Sequence, residues 1–277
     1  MDRSEQQLSG MRTVTAQMEH ASDVGVLLRT WRQRRRLTQL ELAAVSQVST
    51  RHLSFVETGR ARPSREMLLH LAEHLEIPLR ERNEVLLAGG YAPAYPEHQL
   101  TEAPMSAISG AINRILDAHD PYPAVVIDRR WDLVASNTAA ALLLEGVADH
   151  LLEPPVNVIR ASLHPEGMAG RILNLAEWRR HLLGQLDREA QASGDPELTA
   201  LLDELGSLSN DVEAPAAPHQ LVIPLRCLVR GRELSLISMT TVFGTPLEVT
   251  VSELAIETFY PADTRTAQAL SDLTERA

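Results

Sequence analysis

The chain has 277 residues, of which 44% are hydrophobic, and a formal net charge of -11 at pH 7. This length suggests about two domains, with enough apolar residues for a core. The single cysteine, Cys227, excludes an intramolecular disulfide and a cysteine-rich zinc site. The sequence has no apolar region typical of a signal peptide and no run of 18 apolar residues, so we expect neither a signal peptide nor a membrane span. We therefore expect a cytoplasmic protein.

The charge is divided unevenly along the sequence. Residues 24–65 contain nine arginines and two glutamates, which gives a net charge of +7. Residues 98–277 contain 13 arginines and 25 acidic residues, which gives a net charge of -12. A basic segment joined to an acidic body is typical of polyanion binding, so the overall negative charge does not exclude a nucleic-acid partner.

Sequence patterns divide the chain into three predicted parts. Residues 1–22 are polar and weakly patterned, which predicts a flexible tail. Residues 23–97 show helical spacing of apolar residues and end in a proline-rich linker, which predicts an all-α domain. Residues 98–277 combine helical and strand-like segments, which predicts an α+β domain with an antiparallel sheet.

Five short helices are predicted in the first domain. Thr38 and Glu41 have the spacing of a capping box at the start of the second helix. Ser49 is predicted to cap the third helix, so the second and third helices form a helix-turn-helix pattern. The other predicted limits are Asp23 to Arg36 for the first helix, Gly59 for the end of the third, Pro63-Ser64 for the start of the fourth, and Leu79 to Ala88 for the fifth.

Five strand-like runs are predicted in the second domain, with helices inserted after the second run. The runs are 124–128, 132–136, 220–229, 233–243 and 248–260. The predicted helical segments are 101–119, 138–147 and much of 155–206, including a long stretch from Ile172 to Ala192.

Four motifs follow one another in LTQLELAAVSQVSTRHLSFVETGRARPSREMLLHLAEHLEIP, residues 37–78. They are the TQ-x-ELA start, the V-S turn, the E-x-G-x-x-x-PS break and the L-x-x-LA-x-x-L helix. Together they resemble the xenobiotic-response-element family of helix-turn-helix repressors, which are similar in fold to lambda-type phage repressors. One departure is Ser46, where that family often has glycine, and serine is expected to fit the turn less comfortably.

This resemblance implies that the second helix crosses the DNA backbone and that the third lies in the major groove. Gln39 would then bond a phosphate at the start of the second helix. Ser49 would cap the third helix and contact a phosphate, while Arg60 and Arg62 in the following loop would contact the backbone. The resemblance therefore implies that this protein binds a double-stranded DNA operator.

The same resemblance assigns Thr50, Arg51 and His52 to the base edges, since they occupy the first turn of the recognition helix. A bidentate contact from Arg51 to guanine is worth ~1–3 kcal/mol of discrimination. Phe55 has two interpretations: contact with a thymine methyl, or packing against the helix ends. Glu57 matches a position that pairs with an arginine of the first helix, which here is Arg32.

The arginines at 34, 35 and 36 also have two interpretations. They are either a solvated helix end that complements the helix dipole, or phosphate contacts. The sequence leaves both open.

Four segments of the second domain occur in the order found in another family. They are PYPAVVIDRRWDLVASN at 121–137, PPVNVIRASLHPEGMA at 154–169, NLAEWRRHLL at 174–183 and VFGTPLEVTVSELAIETFYPAD at 242–263. They resemble the MmyB-like ligand-binding domain that follows such a helix-turn-helix in many regulators. The resemblance implies a PAS-like fold and a fatty-acid-like ligand as small-molecule effector.

Asn157, Arg160 and His164 are spaced to share one helical face if the helix reaches His164. One of them, with Arg160 the best charge match, is a candidate anchor for a ligand carboxylate. The alternative is an ordinary capped helix end. Trp178 is either a core residue or part of the pocket wall.

No catalytic motif and no metal-spaced histidine cluster occurs in the sequence, so we expect neither an enzyme nor a metal site. Cys227 lies in an apolar run without an evident base, which favours an inert thiol. The resulting hypothesis is a homodimeric transcription regulator that senses a small apolar or fatty-acyl ligand. The alternatives are a regulator whose second domain only dimerises or binds a partner protein, and an enzyme carrying a DNA-binding domain.

Overall fold

The computed structural model describes residues 24–208 and 221–275. The predicted tail at 1–22 and the predicted cap Asp23 lie outside these residues. The chain divides into two compact units, Met1–Glu97 with Leu247–Val249, and His98–Pro246 with Thr250–Ala277. Within the described part, no helix combines the length and apolar character that a membrane span requires.

The described residues of the N-terminal unit before Glu97 form five helices, as predicted. Each of three helices begins after a hydroxyl side chain that accepts an amide hydrogen: Thr38 from Glu41, Ser49 from His52, and Ser64 from Met67. Such caps satisfy amides that have no partner inside the helix. The helices are α1 at 24–34, α2 at Gln39–Val45, α3 at Thr50–Glu57, α4 at Arg65–His74 and α5 at Leu79–Ala88.

Apolar residues at helical spacing close this unit around one core. Leu28 of α1, Leu53 of α3 and Leu71 of α4 are fully buried in it. Gly25 lets α1 approach α3 closely, because a Cβ at this position would lie 2.5 Å from the carbonyl oxygen of Val56. The contact fixes α1 against the back of α3 and leaves the other face of α3 exposed.

The C-terminal unit contains a five-stranded antiparallel sheet in the order β2-β1-β5-β4-β3. This confirms the predicted α+β, PAS-like fold. The strands are β1 at Ala124–Ile127, β2 at Leu133–Ser136, β3 at Leu225–Val229, β4 at Arg232–Val242 and β5 at Ala255–Pro261.

Helices cover both faces of this sheet. One face packs against a small cluster that includes Ile112 and Leu116 of α6. The opposite face carries the main core, to which α7, α8, α9, α10 and α12 contribute. The helices are α6 at Ser106–His119, α7 at Thr138–Leu144, α8 at Val158–Leu163, α9 at Leu175–Ser193, α10 at Pro196–Ser207, α11 at Val249–Glu253 and α12 at Thr264–Thr274.

The predicted strand at 248–260 is wrong in its first half. Residues Val249–Glu253 form the short helix α11, and β5 begins only at Ala255. The alternating valines of this segment suggested a strand, but a short apolar alternation also fits one helical turn. The connection between β4 and β5 therefore contains a helix.

Candidate functional site

The turn between α2 and α3 places a serine and a glutamine in different backbone conformations. Ser46 has φ -85°, an ordinary helical value, and its Oγ donates to the carbonyl oxygen of Leu42 at 2.6 Å. Gln47 has φ +54°, the left-handed region that favours glycine. The expectation that serine fits this turn poorly is therefore wrong, because the unusual backbone lies one residue later.

A buried ion pair joins the back of α3 to α1. Arg32 donates to both carboxylate oxygens of Glu57 at 2.6 and 2.9 Å, and also to the carbonyl oxygen of Leu37. The hydrogen bonds to Glu57 raise the pKa of Arg32 despite its burial. The side-chain amide of Gln39 donates to Glu57 at 2.8 Å. The predicted pairing of Arg32 with Glu57 is confirmed, and the pair holds Gln39 at the start of α2.

The outer face of α3 presents a charged group beside an aromatic ring. Thr50 and Arg51 are exposed in the first turn, while His52 and Phe55 are half-buried. The guanidinium carbon of Arg51 lies 5.3 Å from the centre of the Phe55 ring. Within the described residues, no acidic side chain pairs with Arg51. The stacking holds the guanidinium at the outer face without neutralising its charge.

The arginines around α3 fall into two groups. Arg36, Arg60 and Arg62 are exposed, and no acidic side chain pairs with them in the part of the chain that is described. Arg35 instead donates to the carbonyl oxygens of Leu75 and Glu76, each at 2.8 Å. These are carbonyls at the end of α4, so Arg35 joins two helices, a role that neither sequence interpretation included.

A cavity of about 80 Å³ lies between the sheet and the helices of the C-terminal unit. Its wall is almost entirely apolar, and it contains no arginine or histidine. The lining residues of β1, β2, β3 and β5 include Val125, Leu133, Leu225 and Phe259. Those of the covering helices include Ala140, Leu143, Ile159 and Leu182.

One acidic side chain, Glu257, lines this cavity. It lies on the central strand β5, opposite Val125 of β1 and Thr240 of β4. Only 8% of its surface is exposed. No side-chain hydrogen bond or ion pair joins it to the residues that the structure describes. Burial, and secondarily the carboxylate of Glu189, raises the pKa of Glu257 to about 7.

A second carboxylate lies behind the cavity wall. Glu189 of α9 accepts a hydrogen bond from Nε1 of Trp131 at 2.6 Å, and Trp131 lines the cavity. Burial raises the pKa of Glu189 above its ordinary value, although the bond from Trp131 opposes the shift. The two glutamates give this side of the cavity a negative potential whenever either one is ionised.

Residues 108–273 match the family described as the MmyB-like transcription regulator ligand binding domain, and residues 23–85 match a helix-turn-helix domain. The first match covers more than half of the chain. The chain belongs to the MmyB-like transcription regulators. The two matches show that the regulator combines a DNA-binding domain with a ligand-binding domain. Neither match is to an enzyme family.

Solved structures show weaker likeness to this MmyB-like regulator. The PAS domain of Bordetella pertussis BvgS is 19% identical, with a TM-score of 0.25, over 62% of this chain and 99% of that one. An RNA-binding light-oxygen-voltage receptor is 15% identical, with a TM-score of 0.28, over 100% of this chain and 69% of that one. No curated protein matches the chain.

The structure separates the polar residues predicted to anchor a ligand from the apolar cavity. Helix α8 ends at Leu163, so the helical face assumed for Asn157, Arg160 and His164 does not reach His164. Asn157 caps α8, and Arg160 forms a half-exposed ion pair with Glu204 at 2.8 Å. None of the three predicted anchors lines the cavity.

Trp178 lines the cavity and is also a buried core residue, so both sequence interpretations describe it. Its Nε1 donates to Ser162, another lining residue, at 3.1 Å. Trp131, which directly precedes the predicted strand segment at 132–136, also forms part of the wall. Glu257 was not singled out, because a glutamate in a half-buried strand ordinarily points to solvent.

Two other groups bear on metal and thiol chemistry. Among the described residues, His150, His164 and Glu166 can bring one ligand atom each within 4.8 Å of one another. His150 and Glu166 are exposed, and Nδ1 of His164 already accepts a hydrogen bond from the backbone amide of Glu166.

Cys227 is buried in β3, which raises the pKa of its thiol to about 11 and makes it a poor nucleophile.

Proposed function

We propose that this regulator binds a specific DNA operator as a cytoplasmic homodimer and responds to a small apolar ligand in its C-terminal cavity. The MmyB-like resemblance favours a fatty-acyl ligand. Ligand binding changes operator affinity only if the ligand prefers one of two conformations of the protein. The single observation that carries the DNA assignment is Arg51, which is exposed in the first turn of α3 and pairs with no acidic side chain of the described residues.

Three further observations support this DNA assignment. The buried Arg32–Glu57 pair leaves Glu57 unable to repel a phosphate, because its charge is compensated at 2.6 Å. Arg60 and Arg62 add positive charge next to α3. Thr50 and His52 share the first turn with Arg51, where a recognition helix reaches base edges. We therefore assign base contacts to this turn and backbone contacts to the flanking arginines, Gln39 and Ser49.

The DNA assignment can be tested without knowing the operator. The full chain would be used to select duplexes from a random pool, and binding of the selected and scrambled duplexes would be measured by fluorescence anisotropy. We expect a sequence preference with two half-sites about one helical turn apart. We also expect log K to fall with log salt, by ~0.9 for each neutralised phosphate. A flat salt response with no selected sequence would contradict the assignment.

One observation favours a second candidate, a regulator that does not sense a ligand. The cavity volume of about 80 Å³ is well below the roughly 300 Å³ at which ligand pockets begin, so a long acyl chain needs the wall to move. Native mass spectrometry of the purified protein, with thermal shifts against fatty acids and acyl-CoAs, distinguishes the two. Absence of both a copurifying lipid and any shift rules out a fatty-acyl ligand, and it favours a C-terminal unit that serves dimerisation or partner binding if small apolar amines and alcohols also fail to bind.

A further inference from the structure

We propose that the C-terminal cavity selects a compact apolar ligand that carries an amine, which Glu257 binds, and rejects ligands that carry a carboxylate. This inference rests on the proposed ligand-sensing function, but it replaces the fatty-acyl ligand that the resemblance favours with a ligand whose polar end is an amine.

The first step of the argument is the isolation of Glu257. A buried polar side chain is ordinarily hydrogen-bonded, and a buried charge is ordinarily paired. Glu257 is buried to more than nine-tenths and lines the cavity, yet no described residue hydrogen-bonds to its side chain. A ligand with a positively charged donor would supply the missing partner, and a protonated amine provides both the charge and the hydrogen bonds.

The second step is the composition of the wall. The lining residues contain no arginine, histidine or lysine that would compensate a ligand carboxylate. Arg160, the arginine predicted to do this, is bound to Glu204 and lies outside the cavity wall. Glu189, held by Trp131 behind the wall, is a second acidic group on this side of the cavity. A fatty carboxylate would therefore meet two acids and no base.

The third step is size. An apolar cavity of roughly 150 Å³ holds benzene. The present cavity is about 80 Å³. This is about half the volume that holds benzene, so only a very short apolar group fits without movement of the wall, and a six-carbon chain requires lining side chains to move aside. Met168, Leu144 and Leu182 provide side chains that can move aside for a few more atoms.

The test uses three probes with the same six-carbon chain: hexan-1-amine, hexan-1-ol and hexanoate. Binding to the full chain at pH 8 would be followed by tryptophan fluorescence, since Trp131 and Trp178 line the cavity. We expect hexan-1-amine to bind at least tenfold more tightly than hexanoate. Glu257→Gln should weaken amine binding at least tenfold and change hexan-1-ol binding by less than about threefold.

Glu153→Gln is the matched control, because it removes the same charge from an exposed position outside the cavity wall. It should leave all three affinities unchanged. The proposal is overturned if hexanoate binds as tightly as the amine, or if the two variants weaken amine binding equally. Binding of hexan-1-ol without an amine preference overturns only the assignment to Glu257. Failure of all three probes to bind overturns the ligand-sensing function as well.

Discussion

Glu57 in the N-terminal unit and Glu257 in the C-terminal unit are both buried, with 5% and 8% of their surface exposed. Glu57 accepts hydrogen bonds from Arg32 and Gln39. Glu257 accepts none from the described residues and faces an apolar cavity. A buried carboxylate with its partners in place holds helices together, whereas one without a partner is available to a ligand. The comparison separates a residue of the fold from a residue of the site.

Removal of Glu57 is the largest expected effect, because it leaves Arg32 buried without its counter-charge. We expect Glu57→Ala to lower the free energy of unfolding of the N-terminal unit by about 3–5 kcal/mol. Hydrogen exchange of peptides from α1 and α3 in the full chain would measure this loss.

A half-exposed ion pair, Arg226 with Glu233, provides the control for Glu57→Ala. Glu233→Ala, measured by hydrogen exchange of peptides from β3 and β4, should cost less than about 1 kcal/mol, because solvent screens the pair. Equal losses for Glu57→Ala and Glu233→Ala would show that the buried pair is not the support that its geometry indicates.

Glu257→Gln is expected to stabilise the protein, with an effect that depends on pH. The folded-state pKa of about 7 lies above the ordinary 4.5, so between these values the folded state holds a proton that the unfolded state has lost. Wild-type stability at this site therefore falls as pH rises from about 4.5 to 7. The 2.5-unit difference corresponds to about 3 kcal/mol.

Urea unfolding at pH 5 and pH 8 would measure this effect. Glutamine does not ionise, so the gain from Glu257→Gln should approach about 3 kcal/mol at pH 8 and be small at pH 5. The same gain at both pH values would mean that Glu257 is not a buried acid with a raised pKa.

Arg51→Ala is expected to reduce discrimination between the selected operator and a scrambled duplex by about 1–3 kcal/mol, because it removes a base contact. Arg62→Ala is the matched control, since it removes an exposed arginine outside α3. It should weaken binding to both duplexes alike and lower the salt slope by about 1. If Arg51→Ala behaves like Arg62→Ala, Arg51 contacts only the backbone.

Ser49→Ala is the smallest expected effect. The Ser49 hydroxyl accepts the His52 amide at 3.2 Å, and loss of such a cap costs about 1 kcal/mol. Ser49→Asn keeps the cap and should restore the free energy of unfolding. If operator affinity then stays low while stability returns, the hydroxyl also contacts a phosphate. Unchanged stability in Ser49→Ala would contradict the capping role.

Sequence reasoning succeeded where local chemistry determines structure. The capping box of Thr38 and Glu41, the cap at Ser49 and the apolar spacing of the N-terminal helices are all short-range signals, and they gave helix limits close to those observed. The Arg32–Glu57 pair was also predicted, although its residues are 25 positions apart, because a resemblance supplied the pairing.

Sequence reasoning failed where tertiary packing decides. Glu257 lies in the strand segment AIETFY, where a glutamate ordinarily points to solvent, and only the helices packed over the sheet show that its face is buried. The strand-like valines at 249 and 251 belong to a helical turn, where packing overrides their β propensity. Arg160 was a plausible anchor by charge, but Glu204, which binds it, lies 44 residues later in the chain.

The measurement that tests the central claim most directly is operator affinity with the cavity occupied. Anisotropy would give the Kd of the full chain for its selected operator, with and without saturating hexan-1-amine, while tryptophan fluorescence shows that the probe is bound. We predict that the amine changes the operator Kd at least threefold in the wild type and leaves it unchanged in Glu257→Gln. If the wild-type protein has the same operator Kd with hexan-1-amine bound as without it, the account is contradicted.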